Sequence, residues 1–252
     1  MYKILANTLF LGKDIHFLTE CHSTNDVALE KIRSKEITEG SIVITDSQIR
    51  GRGQRGNRWW SEPRKNLTFS LVLQPYFLDT SEQFELNIII SLAVSEVLSD
   101  YLHGIKIKWP NDLFHEEKGK LGGILIENLV NQRGIEFSII GIGLNINQDM
   151  RELPKASSFF SLTGMEWDRW EILKLIISKI EKYYIKLKNG DKSELRKFYL
   201  ERLYKLEQWS SYDDGEVFIG KIKGINKEGK LIIEKTEGSL NYYGHKEVKY
   251  LF

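Results

Sequence analysis

A single cysteine among 252 residues, Cys21, excludes an internal disulfide and suits a reducing compartment. Beside His22 it has the look of a thiol nucleophile, yet a lone cysteine is more often a small buried hydrophobe. No apolar run is long enough to span a bilayer, the longest, Ile88 to Leu98, being broken by Ser91, Ser95 and Glu96. Asn7 and Asp14 interrupt any signal-like core at the N-terminus. Net charge is also nearly absent, +1 from 36 basic and 35 acidic residues, so no global field points to DNA or to a membrane surface. The five histidines are scattered, with no His-Glu-x-x-His and no cysteine pair, and there is no Gly-x-Ser-x-Gly elbow. Gly51 to Gly56 has P-loop spacing, but Asn57-Arg58 stands where Lys-Ser/Thr is required. Gly141-x-Gly143-x-x-Ile146 lacks the third glycine of a dinucleotide fingerprint. An enzyme built from this chain must therefore work by positioning and charge stabilisation rather than through a covalent nucleophile. A cytoplasmic protein is the expectation.

What the chain does have is a real core, with 41% hydrophobic and 28% charged residues, and one unusual stretch, Gln48 to Trp60. Gly51, Gly53 and Gly56 are interleaved there with Arg50, Arg52, Arg55 and Arg58, and Trp59-Trp60 closes the run. Each interior glycine costs a helix about 1 kcal/mol against alanine. The arginines fall on both faces of a period-two pattern, so a buried strand would strand their charges. A cationic loop remains, able to bring backbone amides and guanidinium forks to an anion.

Around that loop the elements read in order. Residues 15–20 form a short strand, and Ser23-Thr24-Asn25-Asp26 offers N-caps for a helix whose apolar face is Val27, Ala28, Leu29 and Ile32. The same hydroxyl and amide groups at a helix N-terminus suit a polar head group. Ser41 to Thr45 is a β-branched strand leading into the loop. Asn66 to Gln74 alternates Leu67, Phe69, Leu71 and Leu73 with Thr68, Ser70 and Val72, a strand with one mostly polar face. A helix over 82–102, a strand over 105–109, a turn at Pro110-Asn111-Asp112, and strands from Lys120 to Glu127 and from Ile135 to Ile142 follow. Gly122 and Gly123 leave room for a ligand or backbone to approach the sheet. Helices over 168–188 and from Lys192 to about Leu206 precede dense turn signals at Asp214-Gly215, Glu228-Gly229 and Glu237-Gly238. These punctuate strands at Val217/Ile219, Leu231/Ile233 and Val248/Tyr250/Phe252, a small barrel of roughly 45 residues that leans on the main domain.

Ser23-Thr24-Asn25, Gln48 with Gly51-Arg52-Gly53-Gln54-Arg55-Gly56-x-x-Trp59, Lys108-Trp109-Pro110-Asn111-Asp112, Lys120-x-Gly122-Gly123-Ile124-Leu125-x-Glu127 and Gly141-Ile142-Gly143-x-Asn145-x-Asn147 together resemble the biotin protein ligases. No one of these motifs is specific alone; their order is. The resemblance covers residues 15–150 most strongly and extends to the C-terminal barrel. It implies an α+β fold, a mixed, largely antiparallel sheet with helices packed on one face, plus a small C-terminal SH3-like β-barrel. The corresponding domains are 1–205 and 206–252.

The resemblance further implies a ligase that uses ATP and Mg²⁺ to form biotinyl-5′-AMP, then transfers biotin to a lysine of a biotin carboxyl carrier protein. By the same resemblance Ser23, Thr24, Asn25 and Gln48 bond the ureido ring, and Gly122, Gly123 and Gly141 floor the pocket. Gly51, Arg52 and the backbone of Gly53 and Gln54 close over the biotin carboxylate; Arg55, Asn57, Arg58, Trp59 and Asn111 face ATP, with Asn145 and Asn147 on its adenosine. Trp109 or Trp59 supplies an apolar wall. Lys120 bridges carboxylate and α-phosphate, and Asp112 orients or deprotonates the acceptor lysine or helps to hold Mg²⁺. The chain departs from the family's commonest loop, Gly-Arg-Gly-Arg-Arg-Gly-Arg, at Gln54 and Asn57. Two charges fewer bear on how tightly the adenylate is retained, not on whether it forms. Motifs that begin almost at the N-terminus imply a monofunctional ligase without a DNA-binding domain, as monomer or homodimer.

Two other readings fit parts of the pattern. A lipoate or octanoate ligase shares fold and carrier chemistry, but a dithiolane or alkyl chain gives the amides of Asn25 and Gln48 nothing to bond. A single-stranded nucleic-acid surface could use the arginines and Trp59-Trp60, against a near-neutral total charge.

Overall fold

The computed structural model describes residues 7–153 and 155–251, the side chain of Arg55 excepted. Phe252, read as the end of the last strand, lies outside the described residues.

Strands β1 (Ile15–Leu18), β2 (Ile42–Thr45), β3 (Leu67–Leu73), β4 (Ile105–Lys108), β5 (Asp112–His115), β6 (Gly119–Asn131) and β7 (Gly134–Leu144) form one seven-stranded sheet. Its order is β1-β2-β3-β7-β6-β5-β4. Only β1 and β2 pair in parallel; every other neighbour is antiparallel. Register sorts side chains into two sets. Thr45, Thr68, Gly143, Gly123 and Asp112 stand in one row across the sheet, and Val43, Ser70, Gly141 and Leu125 in the next. Ile42, Leu71, Ile140 and Ile126 point the other way.

That second face carries the main core. Helix α2 (Phe84–Ser99) lies on it, with α4 (Arg169–Lys188) and α5 (Lys192–Glu201) behind. Sheet on one side and helices on the other bury thirteen of the sixteen α2 residues, including Ile88, Leu92 and Leu98. Asp168 caps α4 by accepting the Trp170 amide. A short helix, α3 (Phe159–Thr163), with Ser158 and Ser161 as a capping box, has no clear apolar period in the sequence.

Helix α1 (Thr24–Arg33) corrects the expectation of helices on one face only. Its Ala28 and Ile32 pack on Val43, Val72 and Ile139, across the sheet from α2. All of β3 is buried, its mostly polar parity of Thr68, Ser70 and Val72 included. Helix α1 covers only part of its side of the sheet and leaves the rest bordering a cleft.

The C-terminal unit holds β8 (Trp209–Asp213), β9 (Val217–Ile225), β10 (Leu231–Lys235), β11 (Leu240–Tyr243) and β12 (Lys249–Tyr250). Its order is β11-β10-β9-β8-β12, all antiparallel. No ladder joins β11 to β12 among the described residues, so the expected closed barrel is an open sheet. Two clamps seat it. Trp109 Nε1 donates to the Gly229 carbonyl at 2.9 Å. Arg196 donates to Glu85 at 2.7 Å and to the carbonyls of Asn226 and Lys227 at 2.8 and 2.7 Å. Among the described residues no helix is long and apolar enough to cross a membrane.

Glu85 is 3% exposed, and burial raises its carboxyl above the usual range even though Arg196 pulls it down. Arg196→Ala leaves that carboxylate buried without its cation, and a loss of about 3–5 kcal/mol in urea unfolding at neutral pH is expected. A raised folded-state pKa means that the folded form binds more protons, so stability falls as pH rises. The deficit of Arg196→Ala should therefore be smaller at pH 5 than at pH 8. An equal deficit at both would rule out charge burial as its cause.

Candidate functional site

The uncovered face forms a cleft of about 620 Å³, floored by the sheet and roofed by the 51–59 loop. Three glycines let lining side chains lie close against the sheet. A Cβ on Gly141 would lie 2.5 Å from Asn25 Oδ1, one on Gly143 2.5 Å from Trp59 Cε2, and one on Gly123 3.2 Å from Lys120 Nζ. Gly122 faces the opposite way, against Leu144, and floors the core rather than the cleft.

At one end stands a buried hydrogen-bond network. Thr24 donates its backbone N–H to Gln48 Oε1 at 2.7 Å, and Ser70 Oγ lies 2.7 Å from Thr24 Oγ1 and 2.5 Å from Asn25 Oδ1. Asn25 Nδ2 in turn donates to Glu127 at 2.7 Å. Ser23, 3% exposed, completes this end at the N-cap of α1 and makes no side-chain cap bond there. Chain order brings these groups together because β2 ends beside the start of α1, tied by the Cys21–Gln48 bridge. Cys21 itself is half-buried with its thiol pushed up by burial, which makes it a poor nucleophile.

The other end is cationic. Lys120 Nζ sits 2.7 Å from Asp112 Oδ1, and Lys108 Nζ 4.0 Å from Asp112 Oδ2. Burial lowers the Lys108 ammonium below its ordinary value, opposed by Asp112 and reinforced by Lys120 and Lys155. Arg58, Lys246 and Lys249 also line this cavity, and Asp112 is the carboxylate among the described lining residues. Such a balance suits a polyanion. Gln54 Oε1 and Trp59 Nε1 are buried on the lining with no hydrogen-bond partner among the described residues, places that a polar ligand would satisfy.

The loop is a small hairpin. Arg52 bridges to Arg58, Gly53 N–H donates to Asn57 O at 2.7 Å, and Trp59 N–H to Gly51 O at 2.9 Å. Ser23, Thr24, Asn25, Gln48, Gly123 and Gly141 all reach the cleft, as do Lys120, Asp112, Asn111 and, from the loop, Arg52, Gly53, Gln54, Asn57, Arg58 and Trp59. Other sequence expectations are redistributed. The Arg55 side chain lies outside the described residues. The Gly53 amide is occupied by Asn57, and Gly51 packs on the Trp59 carbonyl, 2.4 Å from where a Cβ would stand. Arg52 pairs with Asp26 and Glu127 instead of standing free over the cleft.

Asn145 and Asn147, expected at adenosine, line no part of the cleft. Asn145 Nδ2 donates to Ser157 O at 3.0 Å, and Asn147 exchanges bonds of 2.9 and 2.8 Å with the Trp167 backbone. Both are fasteners of the 145–167 segment. Asn111 combines two roles, lining the cleft while its amide donates to the Ile124 carbonyl.

Sequence reasoning missed Ser70, which bonds to Thr24 and Asn25, and the lining contributed by His245, Lys246, Val248, Lys249 and Tyr250. Ser70 sits in an ordinary alternating strand, and the rest come from a unit whose placement no local pattern encodes. No group of three or more His, Cys, Asp or Glu side chains that could hold a metal occurs among the described residues. Both Asp112 oxygens face ammonium groups, an environment that disfavours a resident divalent cation.

Comparison with known proteins adds relatives to this geometry. A model of the biotin/lipoate A/B protein ligase family matches residues 18–146. The bifunctional ligase/repressor BirA of Bacillus subtilis is 28% identical, the match covering 94% of this chain and 74% of BirA. The biotin–[acetyl-CoA-carboxylase] ligase of Paracoccus denitrificans is 28% identical over 88% of this chain and 94% of its own. Among solved structures, biotin protein ligase from Aquifex aeolicus in complex with biotin and ATP superposes with a TM-score of 0.77 at 27% identity, covering 95% of this chain and all of that one.

The Trp59–Gly143 contact is directly testable. Gly143→Ala should expel the indole, moving the Trp59 Nε1–H resonance in an NMR spectrum assigned with Trp59→Phe, while far-ultraviolet circular dichroism stays unchanged. An unmoved resonance would contradict the contact.

Proposed function

Because the chain belongs to the biotin/lipoate A/B protein ligase family, we propose that it activates biotin with ATP and passes the biotinyl group to a lysine of a biotin carboxyl carrier protein. The observation that carries this is the polarity of a single cleft, a hydrogen-bonding floor at one end and clustered cations at the other. A ureido head group can exchange hydrogen bonds with the polar floor of Ser23, Thr24, Asn25 and Gln48, which a dithiolane or an octanoyl chain cannot do. The relative from Aquifex aeolicus, named as binding biotin and ATP, supports the same choice.

In the first step a biotin carboxylate oxygen attacks the α-phosphorus of ATP. A P–O bond forms, the bond to the β-phosphate oxygen breaks, and pyrophosphate leaves. Two anions must meet, and Lys120 is the group we assign to bridge them. Asp112 fixes its ammonium from 2.7 Å, and Lys108 adds a second charge behind. Arg58, Lys246 and Lys249 suit the leaving phosphates. In the second step the acceptor amine attacks the acyl carbon, gives up a proton, and AMP departs. Asp112 is the carboxylate at hand to orient that amine. We assign no resident metal: Mg²⁺ comes in with the ATP phosphates, consistent with its preference for phosphate and water ligands. A cytoplasmic site of action belongs to the same proposal and suits the lone Cys21.

Pyrophosphate exchange measured with biotin, lipoate and octanoate in turn decides the acid. Exchange with biotin is expected, falling about a hundredfold or more in Lys120→Ala. Exchange with lipoate and none with biotin would reverse the substrate choice, and a near-wild-type Lys120→Ala would remove Lys120 from the reaction.

A further inference from the structure

Arg52 is the loop arginine expected over the substrate carboxylate, yet the structure gives its guanidinium other partners. Its Nη2 donates to Asp26 Oδ1 at 2.6 Å and to Glu127 Oε2 at 2.8 Å. Asp26 lies in the first turn of α1 and Glu127 on β6, so the loop is pinned to two elements that meet at the Asn25 end of the cleft. One cation between two carboxylates leaves a local charge of −1, which repels an incoming carboxylate rather than attracting it. The Glu127 oxygen that holds Arg52 also accepts Asn25 Nδ2 at 2.7 Å. Asn25 is joined through Ser70 to Thr24, and Thr24 to Gln48. A continuous chain of hydrogen bonds thus runs from the head-group floor to the loop arginine.

We propose that Asp26 and Glu127 are positioning residues that latch Arg52, and with it the 51–58 loop, closed over the cleft, so that the bound acid is retained by closure rather than by the Arg52 charge. Asn25 links the latch to the floor: a head group that fixes the Asn25 amide also fixes the acceptor of Arg52. The choice of biotin as probe rests on the function proposed above; the latch itself does not.

The three side chains are 38–43% exposed, so neither ion pair is strong alone. Their effect is on the open–closed balance of a short loop, where a roughly tenfold shift is in scale for a shared three-group network. The direction distinguishes a latch from a competitor. If the carboxylates hold the loop shut, removing them loosens ligand; if they compete with the substrate carboxylate for Arg52, removing them tightens it.

Two measurements on the full chain test this in Asp26→Ala, Glu127→Gln, Arg52→Ala, Arg52→Lys and the double variant Asp26→Ala/Arg52→Ala. The first is amide hydrogen exchange of residues 50–60 without ligand. The second is biotin-dependent pyrophosphate exchange, resolved into KM and kcat. Asp26→Ala and Glu127→Gln should speed amide exchange in the loop and raise the KM for biotin about tenfold, with kcat within threefold of wild type. The double variant should be no worse than Arg52→Ala, and Arg52→Lys should recover part of the loss. A lower KM in Asp26→Ala, or unchanged loop exchange in both carboxylate variants, overturns the latch. So does an Arg52→Ala defect confined to kcat. A wild-type chain inert toward biotin would instead overturn the substrate assignment, while loop exchange still decides the latch.

Discussion

Everything at the site depends on the period of two along β7. Ile140, Ile142 and Leu144 enter the main core, and the residues between them, Gly141 and Gly143, face the cleft. Large side chains on one parity bind α2 to the sheet, and absent side chains on the other form a trough in which Asn25 and Trp59 lie close against the strand. A shift of register by one residue would push isoleucines into the cleft and empty the core. Core packing and ligand space are thus set by the same hydrogen-bond ladder, with Gly123 on β6 extending the trough next to Gly143.

Polar groups over that trough are arranged in two electrostatic regimes. Around Thr24, Asn25 and Ser70 they are neutral, buried and mutually bonded, an environment that selects shape and hydrogen-bond pattern. Toward Lys108, Lys120 and the C-terminal Lys246 and Lys249 they are cationic and more open, an environment that selects charge. A reaction joining a neutral-headed acid to a polyphosphate needs both in one cavity. The clamps at Trp109 and Arg196 matter for this reason, since they seat the unit that supplies Lys246 and Lys249.

Much of this was legible beforehand. The glycine–arginine loop, the Ser23–Asn25 cap, Lys120 with its following glycines and most strand positions can be read from the chain because each is local: a spacing, a cap or an alternation. What escaped is non-local. The sequence shows that one face of β3 is mostly polar but not what it meets: Thr68 lines the cleft and Ser70 bonds to a helix residue 45 positions away in the chain. Asn147 reads as a loop asparagine free for a ligand until Trp167 takes both ends of its amide. The C-terminal turns announce short strands but neither their open order nor their contribution to the cleft. Arg52 is legible as a cation, though its partners, Asp26 and Glu127, lie 26 positions before and 75 after it.

On the proposed function, the acid binds in the trough beside the β7 glycines. Calorimetric titration of biotin into wild type and Gly141→Ala tests it most directly, because the added methyl would stand 2.5 Å from Asn25 Oδ1. Binding at least tenfold weaker in the variant, with thermal unfolding preserved, is the predicted result. Equal affinity in the two proteins would contradict the claim.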